Sequence, residues 1–164
     1  MVCRQRFGHR RKHVPPITVV IADSDKRRLV ICGRLLQGAR GIKVVATANT
    51  VRESVDTAGH LPKILLLDLK LAVSNDAATV PLIRTKSPGT HIILLSGRAS
   101  DSLVLQGISH GARGYLDAKM LRRFLEKAIR AVAAGESWVS RAMVAKLIDR
   151  LAHLTVHAVP PRRA

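Results

Sequence analysis

The chain has 164 residues, 47% of them hydrophobic and 24% charged, which suits one domain plus short tails and excludes both wholesale disorder and two large domains. Aromatic residues make up only 2%, so the core must be aliphatic. With 28 Lys and Arg against 11 Asp and Glu the formal charge is +17, enough to raise nonspecific affinity for nucleic acid or anionic surfaces. The cysteines, Cys3 and Cys32, make no disulfide or zinc framework and point to a reducing compartment. No apolar run approaches the roughly 18 residues of a membrane span, and the basic N-terminus lacks the apolar stretch of a secretory signal. The sequence therefore predicts a cytoplasmic protein.

Residues 1–16 carry Arg4, Arg6, Arg10, Arg11 and Lys12, show no apolar periodicity and finish in Pro15-Pro16, so they read as a basic flexible tail. Short aliphatic runs then follow at Ile17 to Ala22, Lys43 to Ala46, Ile64 to Leu67, His91 to Leu95 and Gly114 to Leu116. Each is too short for a helix and rich in Val, Ile and Leu, the pattern of strands buried on both faces. Helical segments alternate with them at about Lys26 to Gln37, Val51 to Ala58, Asp76 to Lys86, Ser102 to Ser109 and Leu121 to Ala134. In the last, Leu121, Phe124, Leu125, Ala128, Ile129 and Val132 form one apolar stripe that stops at Gly135. A sixth helix is predicted from about Ser140, its cap, to Ala152. Trp138 is expected to pack the fifth helix against the sixth. The divisions are a tail at 1–16, a main domain at 17–135, a C-terminal helix and linker at 136–153 and a tail at 154–164. Alternating strands and helices imply right-handed crossovers, hence an α/β, doubly wound fold with a five-stranded parallel sheet.

In such a sheet ligands gather at the carboxyl ends of the strands. The first run ends in Asp23-Ser24-Asp25, the third in Asp68, the fourth in Ser96-Gly97, and the fifth leads into Asp117-Ala118-Lys119. Carboxylates from two strand ends suit a hard divalent cation, and a nearby hydroxyl and ammonium suit a phosphoryl group.

The segments VVIADSD (19–25), ILLLDLKL (64–71), IILLSGRA (92–99) and HGARGYL (110–116) together resemble the receiver domain of bacterial response regulators. Continuing through AIRAVAAGESWVS (128–140), the chain is most similar to receivers that precede a LuxR-type helix-turn-helix output domain. The resemblance covers roughly residues 17 to 152. It implies a flavodoxin-like strand order 2-1-3-4-5 and a two-component phosphorelay in which Asp68 accepts a phosphoryl group from a sensor histidine kinase. It also implies Mg²⁺ held by Asp23, Asp68 and the backbone carbonyl of Lys70, with Asp25 as a further candidate. Ser96 would contact the phosphoryl group, and Tyr115 would be the aromatic switch that biases a protein-contact face. The domain would be a phosphoacceptor, not an enzyme in its own right.

The chain departs from the family at two informative places. Ser24 stands where the second acid belongs, and Ala118 stands where the family has its lysine, with Lys119 one residue later as the candidate substitute. Ala72 and Asp76 also stand where the family commonly has Pro and Gly. The residues thus leave two readings open: a working phosphoacceptor, or a phosphorylation-independent receiver kept for dimerisation or docking. A third, nonspecific nucleic-acid binding by the tail, rests on its charge. Partners are expected to be the kinase and a second copy or output protein. No sequence-specific DNA binding is expected, because the chain ends where the family's output helices would begin. Zinc at His9 and His13 or at His153 and His157 lacks supporting ligands, and neither a G-x-S-x-G elbow nor a P-loop is present.

Overall fold

The computed structural model describes residues 14–74 and 79–157. Most of the basic tail, the start of the helix expected from Asp76 and the residues after 157 lie outside the described residues, as do His9 and His13.

Five strands alternate with helices: β1 (Ile17–Ala22), α1 (Lys26–Gln37), β2 (Ile42–Ala48), α2 (Val51–Thr57), β3 (Ile64–Asp68), α3 (Leu69–Val73), α4 (Thr79–Lys86), β4 (His91–Ser96), α5 (Asp101–Ser109), β5 (Gly114–Asp117), α6 (Leu121–Ala133) and α7 (Arg141–His157). A 3₁₀ turn, Ala58–His60, follows α2, and another, Ala118–Met120, leads into α6. The strands are all parallel, in the order β2-β1-β3-β4-β5. The expected doubly wound, flavodoxin-like fold is therefore present, with the added C-terminal helix running beyond its expected end at Ala152.

Strand side chains alternate between two apolar layers. Val19, Ile21, Ile64, Leu66, Ile93 and Leu95 pack with Cys32 and Leu36 of α1 and with the Leu121, Leu125, Ala128, Ile129 and Val132 stripe of α6. Val20, Leu65, Leu67, Ile92 and Leu94 face the other way, onto Leu69, Leu71 and Ala72 of α3, Val80 and Ile83 of α4, Val104 of α5 and Met143 of α7. Because both faces are covered, the central strands read as continuous aliphatic runs, and β3 is buried at every position.

Helix α6 ends as its glycine predicts. Gly135 takes a φ of 96°, its N–H bonds the carbonyl of Val132, and the next N–H, of Glu136, bonds that of Ala131. The chain then turns back along β5, where Trp138 bridges Gly114 and accepts from the Tyr115 N–H at 2.8 Å. Trp138 also packs on Phe124 of α6, ring centroids 6.0 Å apart. Its contacts are thus with α6 and β5. Helix α7 is fastened to α5 by a Lys146–Asp101 ion pair.

Candidate functional site

Order along the sheet reverses between β1 and β3, so the crevice lies where these strands end, and the side chains that follow them are polar. Asp23 comes directly after β1, Asp68 ends β3, and Ser96 ends β4; all three are buried. Ser24, Asp25, Arg28, Asp68, Lys70, Ser96, Gly97 and Arg98 line a cleft of about 310 Å³.

Arg28 occupies the centre of this arrangement, and the sequence reading did not anticipate it. Its Nε donates to Asp23 Oδ2. Its Nη2 lies 2.8 Å from Asp23 Oδ1 and 2.9 Å from Asp68 Oδ1, so one guanidinium joins both carboxylates. Local structure explains the placement. Asp25 caps α1, its side chain accepting from the N–H groups of Arg27 and Arg28, which starts the helix at Lys26. Arg28 is then the third helical residue, and helical side chains lean toward the N-terminus, here toward the strand ends. Lys26, Arg27 and Arg28 put three cations in a first turn that has no acid, against the helix dipole. That anomaly was the available signal that a cation there had an anionic partner.

The remaining valences of Asp68 are also taken. Its Oδ2 accepts from the Ser24 hydroxyl at 2.5 Å, and its Oδ1 accepts from the Lys70 N–H at 3.3 Å as the cap of α3. Asp23 Oδ1 further accepts from the Asp25 N–H at 2.8 Å. Burial pushes the Asp23 carboxyl above its ordinary pKa, while hydrogen bonds from Arg28 and Asp25 pull it down. Burial alone would lower the pKa of Arg28. The hydrogen bond and charge of Asp23, with Asp68 adding, reverse this and raise it.

The donors expected for Mg²⁺ are already engaged within the chain. A hard divalent ion needs several oxygens free to turn inward, but both Asp23 oxygens and Asp68 Oδ1 face the Arg28 guanidinium. The Lys70 carbonyl accepts from the N–H and hydroxyl of Ser74, because α3 begins directly after Asp68. Asp25, the further candidate, spends one carboxylate oxygen as a helix cap. Among the described residues no cluster of three His, Cys, Asp or Glu side chains could hold a metal ion.

Ser96 keeps its place beside Asp68 in the cleft, with its hydroxyl accepting from the Arg98 N–H at 3.3 Å. Tyr115 is half-buried against the α5 side of the sheet, and burial, then Asp117 and Asp101, raise its pKa. Lys119 does not line the Asp68 cleft. Asp117 caps the 3₁₀ turn through the Lys119 N–H, and Lys119 borders an adjoining opening of about 400 Å³ that shares Asp25, Arg28 and Gly97 with the cleft. Residues Ala118–Met120 form that turn, and Ala118 lies beside Gly97.

Residues 19–130 match the family described as response regulator receiver domain. The chain belongs to that family. This receiver is 30% identical over 137 residues to the nitrate/nitrite response regulator protein NarL of Escherichia coli (strain K12), an alignment covering 83% of the chain and 63% of NarL. It is 27% identical over 134 residues to the transcriptional regulatory protein LnrK of Bacillus subtilis (strain 168), covering 81% and 61%. The receiver thus spans a little over three fifths of the length of these relatives. Its fold is similar to that of the receiver domain of a putative response regulator NarL from Mycobacterium tuberculosis, at TM-score 0.69 and 24% identity, covering 75% of this chain and 100% of that one. A LuxR-family response regulator from Aurantimonas sp. SI85-9A1 superposes at TM-score 0.71 and 21% identity, covering 84% and 99%. Among the described residues no helix is long and apolar enough to cross a membrane.

Proposed function

We propose that this receiver is a cytoplasmic signalling module of a two-component system that acts through protein contacts, with Asp68 standing outside the Mg²⁺-dependent phosphorylation cycle. One observation carries the reading: Arg28 is bonded to both Asp23 and Asp68, on the oxygens that a divalent ion would need. Ser24, in place of an acid, hydrogen-bonds the other Asp68 oxygen. Signalling would then depend on which protein docks on the receiver, a second copy or an output protein, rather than on its phosphorylation state.

A second reading has its own support in the cleft that Asp68 shares with Ser96 and Lys70. Here a sensor histidine kinase donates the phosphoryl group to Asp68. The Ser96 hydroxyl and the Arg28 guanidinium receive its charge, and Tyr115 responds.

Beryllofluoride, which mimics an aspartyl phosphate, separates the two. Added with Mg²⁺ to the labelled protein, it should leave the amide resonances of Asp68, Ser96 and Tyr115 in place. Saturable shifts in wild type that vanish in Asp68→Asn would overturn the first reading and establish the second.

A further inference from the structure

We infer that Arg28 is the resident cation of this receiver, a positioning residue that ties the ends of β1 and β3 together in place of a divalent ion. The inference deepens the proposed function and rests on its reading of Asp68 as an engaged carboxylate. It also makes a separate claim, about what holds the site together.

Charge is the first argument. Two carboxylates and a divalent ion plus a third acid would leave one net negative charge, and two carboxylates with one guanidinium leave the same. Ser24 in the acidic position leaves out one negative charge, and Arg28 in the first turn of α1 supplies a single positive one from the chain itself. Ser24 still hydrogen-bonds Asp68, as a neutral donor.

Geometry is the second. A guanidinium is a planar fork that binds carboxylates through several N–H groups at once. Arg28 uses Nε and Nη2 on Asp23 and Nη2 again on Asp68. Its side chain is only 12% exposed, and those of Asp23 and Asp68 are 0% and 1% exposed. In such surroundings an unpaired carboxylate is costly, so the contact is structural. The Asp25 cap fixes the helix that carries Arg28, and the Asp25 N–H bonds Asp23 as well, so cap, carboxylate and cation form one unit.

The consequence is a site whose integrity does not depend on Mg²⁺. The test compares melting of the full chain in EDTA and in Mg²⁺, together with Mn²⁺ binding by calorimetry, for wild type, Arg28→Met, Arg28→Lys and the double variant Ser24→Asp, Arg28→Met. Wild type should melt at the same temperature in both buffers and bind no Mn²⁺ saturably. Arg28→Met should melt roughly 10 °C lower in EDTA, and Arg28→Lys, which keeps the charge without the fork, should fall between. The double variant should bind one Mn²⁺ and regain in Mg²⁺ the melting temperature it loses in EDTA. The inference is overturned if Mg²⁺ raises the wild-type melting temperature and Asp68→Asn abolishes that rise, or if Arg28→Met melts like wild type in EDTA. A wild type that accepts beryllofluoride yet melts identically in EDTA and Mg²⁺ would sink the proposed function while leaving the Arg28 assignment standing.

Discussion

The Nη2 of Arg28 lies 2.9 Å from Asp68 Oδ1, so the aspartate at the end of β3 is already paired, within its own chain, with a residue forty positions earlier in the sequence. Nearly everything distinctive about this receiver follows from that contact. The carboxylate is neither solvated nor free to turn, and the cation beside it cannot diffuse away.

Breaking the pair from either side should be expensive. Removing one partner of a buried ion pair strands the other, at a cost of about 3 kcal/mol or more. Arg28→Met and Asp23→Asn should each lower the unfolding free energy by about that amount, and the double variant by clearly less than the sum, because the two lose the same interaction. Urea denaturation of the four proteins measures this directly.

Ser24→Ala should cost about 1 to 2 kcal/mol, the loss expected when a hydroxyl no longer donates to a charged acceptor. Asp68 Oδ2 loses its 2.5 Å bond while Oδ1 keeps Arg28. The same urea curves should show the change in midpoint without a change in slope.

Burial pushes the Cys32 thiol up to about 12, with Asp23 adding to the rise and Arg28 opposing it. In a Cys3→Ser background, native protein at pH 8 should therefore leave a thiol reagent nearly unreacted, and unfolding should release one reactive thiol. Rapid labelling of the folded protein would show that α1 opens from the sheet.

His91, at the start of β4, has its pKa lowered from the ordinary 6.5 by burial and then by the charges of Lys63 and Arg113. The unfolded chain therefore binds this proton at a higher pH than the native one does. Stability is fully present above about pH 6.5 and falls as the pH drops through the lowered native value. The wild-type loss across this window should be larger than that of His91→Gln, measured as the urea midpoint against pH.

Gly114 leaves room for the backbone that runs beside β5. A Cβ there would sit 3.0 Å from the Trp138 Cβ and 3.1 Å from the Trp138 carbonyl oxygen, which the Tyr115 N–H also uses. Gly114→Val should cost about 1 to 3 kcal/mol by overpacking. The fluorescence of Trp138, the sole tryptophan, should shift to the red as the strip from 136 to 140 lifts.

The architecture was legible because its signals are local: aliphatic runs of strand length, stripes of helical period and a glycine at the end of α6. The strand-end residues Asp23, Asp68 and Ser96 were legible for the same reason, since each terminates or directly follows a recognisable run. Arg28 was not, because its meaning depends on a contact between α1 and β3 that no short pattern encodes. The three cations opening α1 were the only trace of it. The 3₁₀ turn that carries Lys119, and the helix that starts immediately after Asp68, were missed because single side-chain caps, Asp117 and Asp68, decide them. In each case a carboxylate at a strand end organises the backbone that follows it.

The central claim is that Asp68 is held by Arg28 and Ser24 outside the Mg²⁺-dependent cycle. Intact-protein mass after incubation with Mg²⁺ and acetyl phosphate, for wild type and Asp68→Asn, tests it most directly. The account predicts the same unmodified mass for both proteins, each shown to be folded by circular dichroism. A gain of one phosphoryl group in wild type that is absent in Asp68→Asn would contradict it.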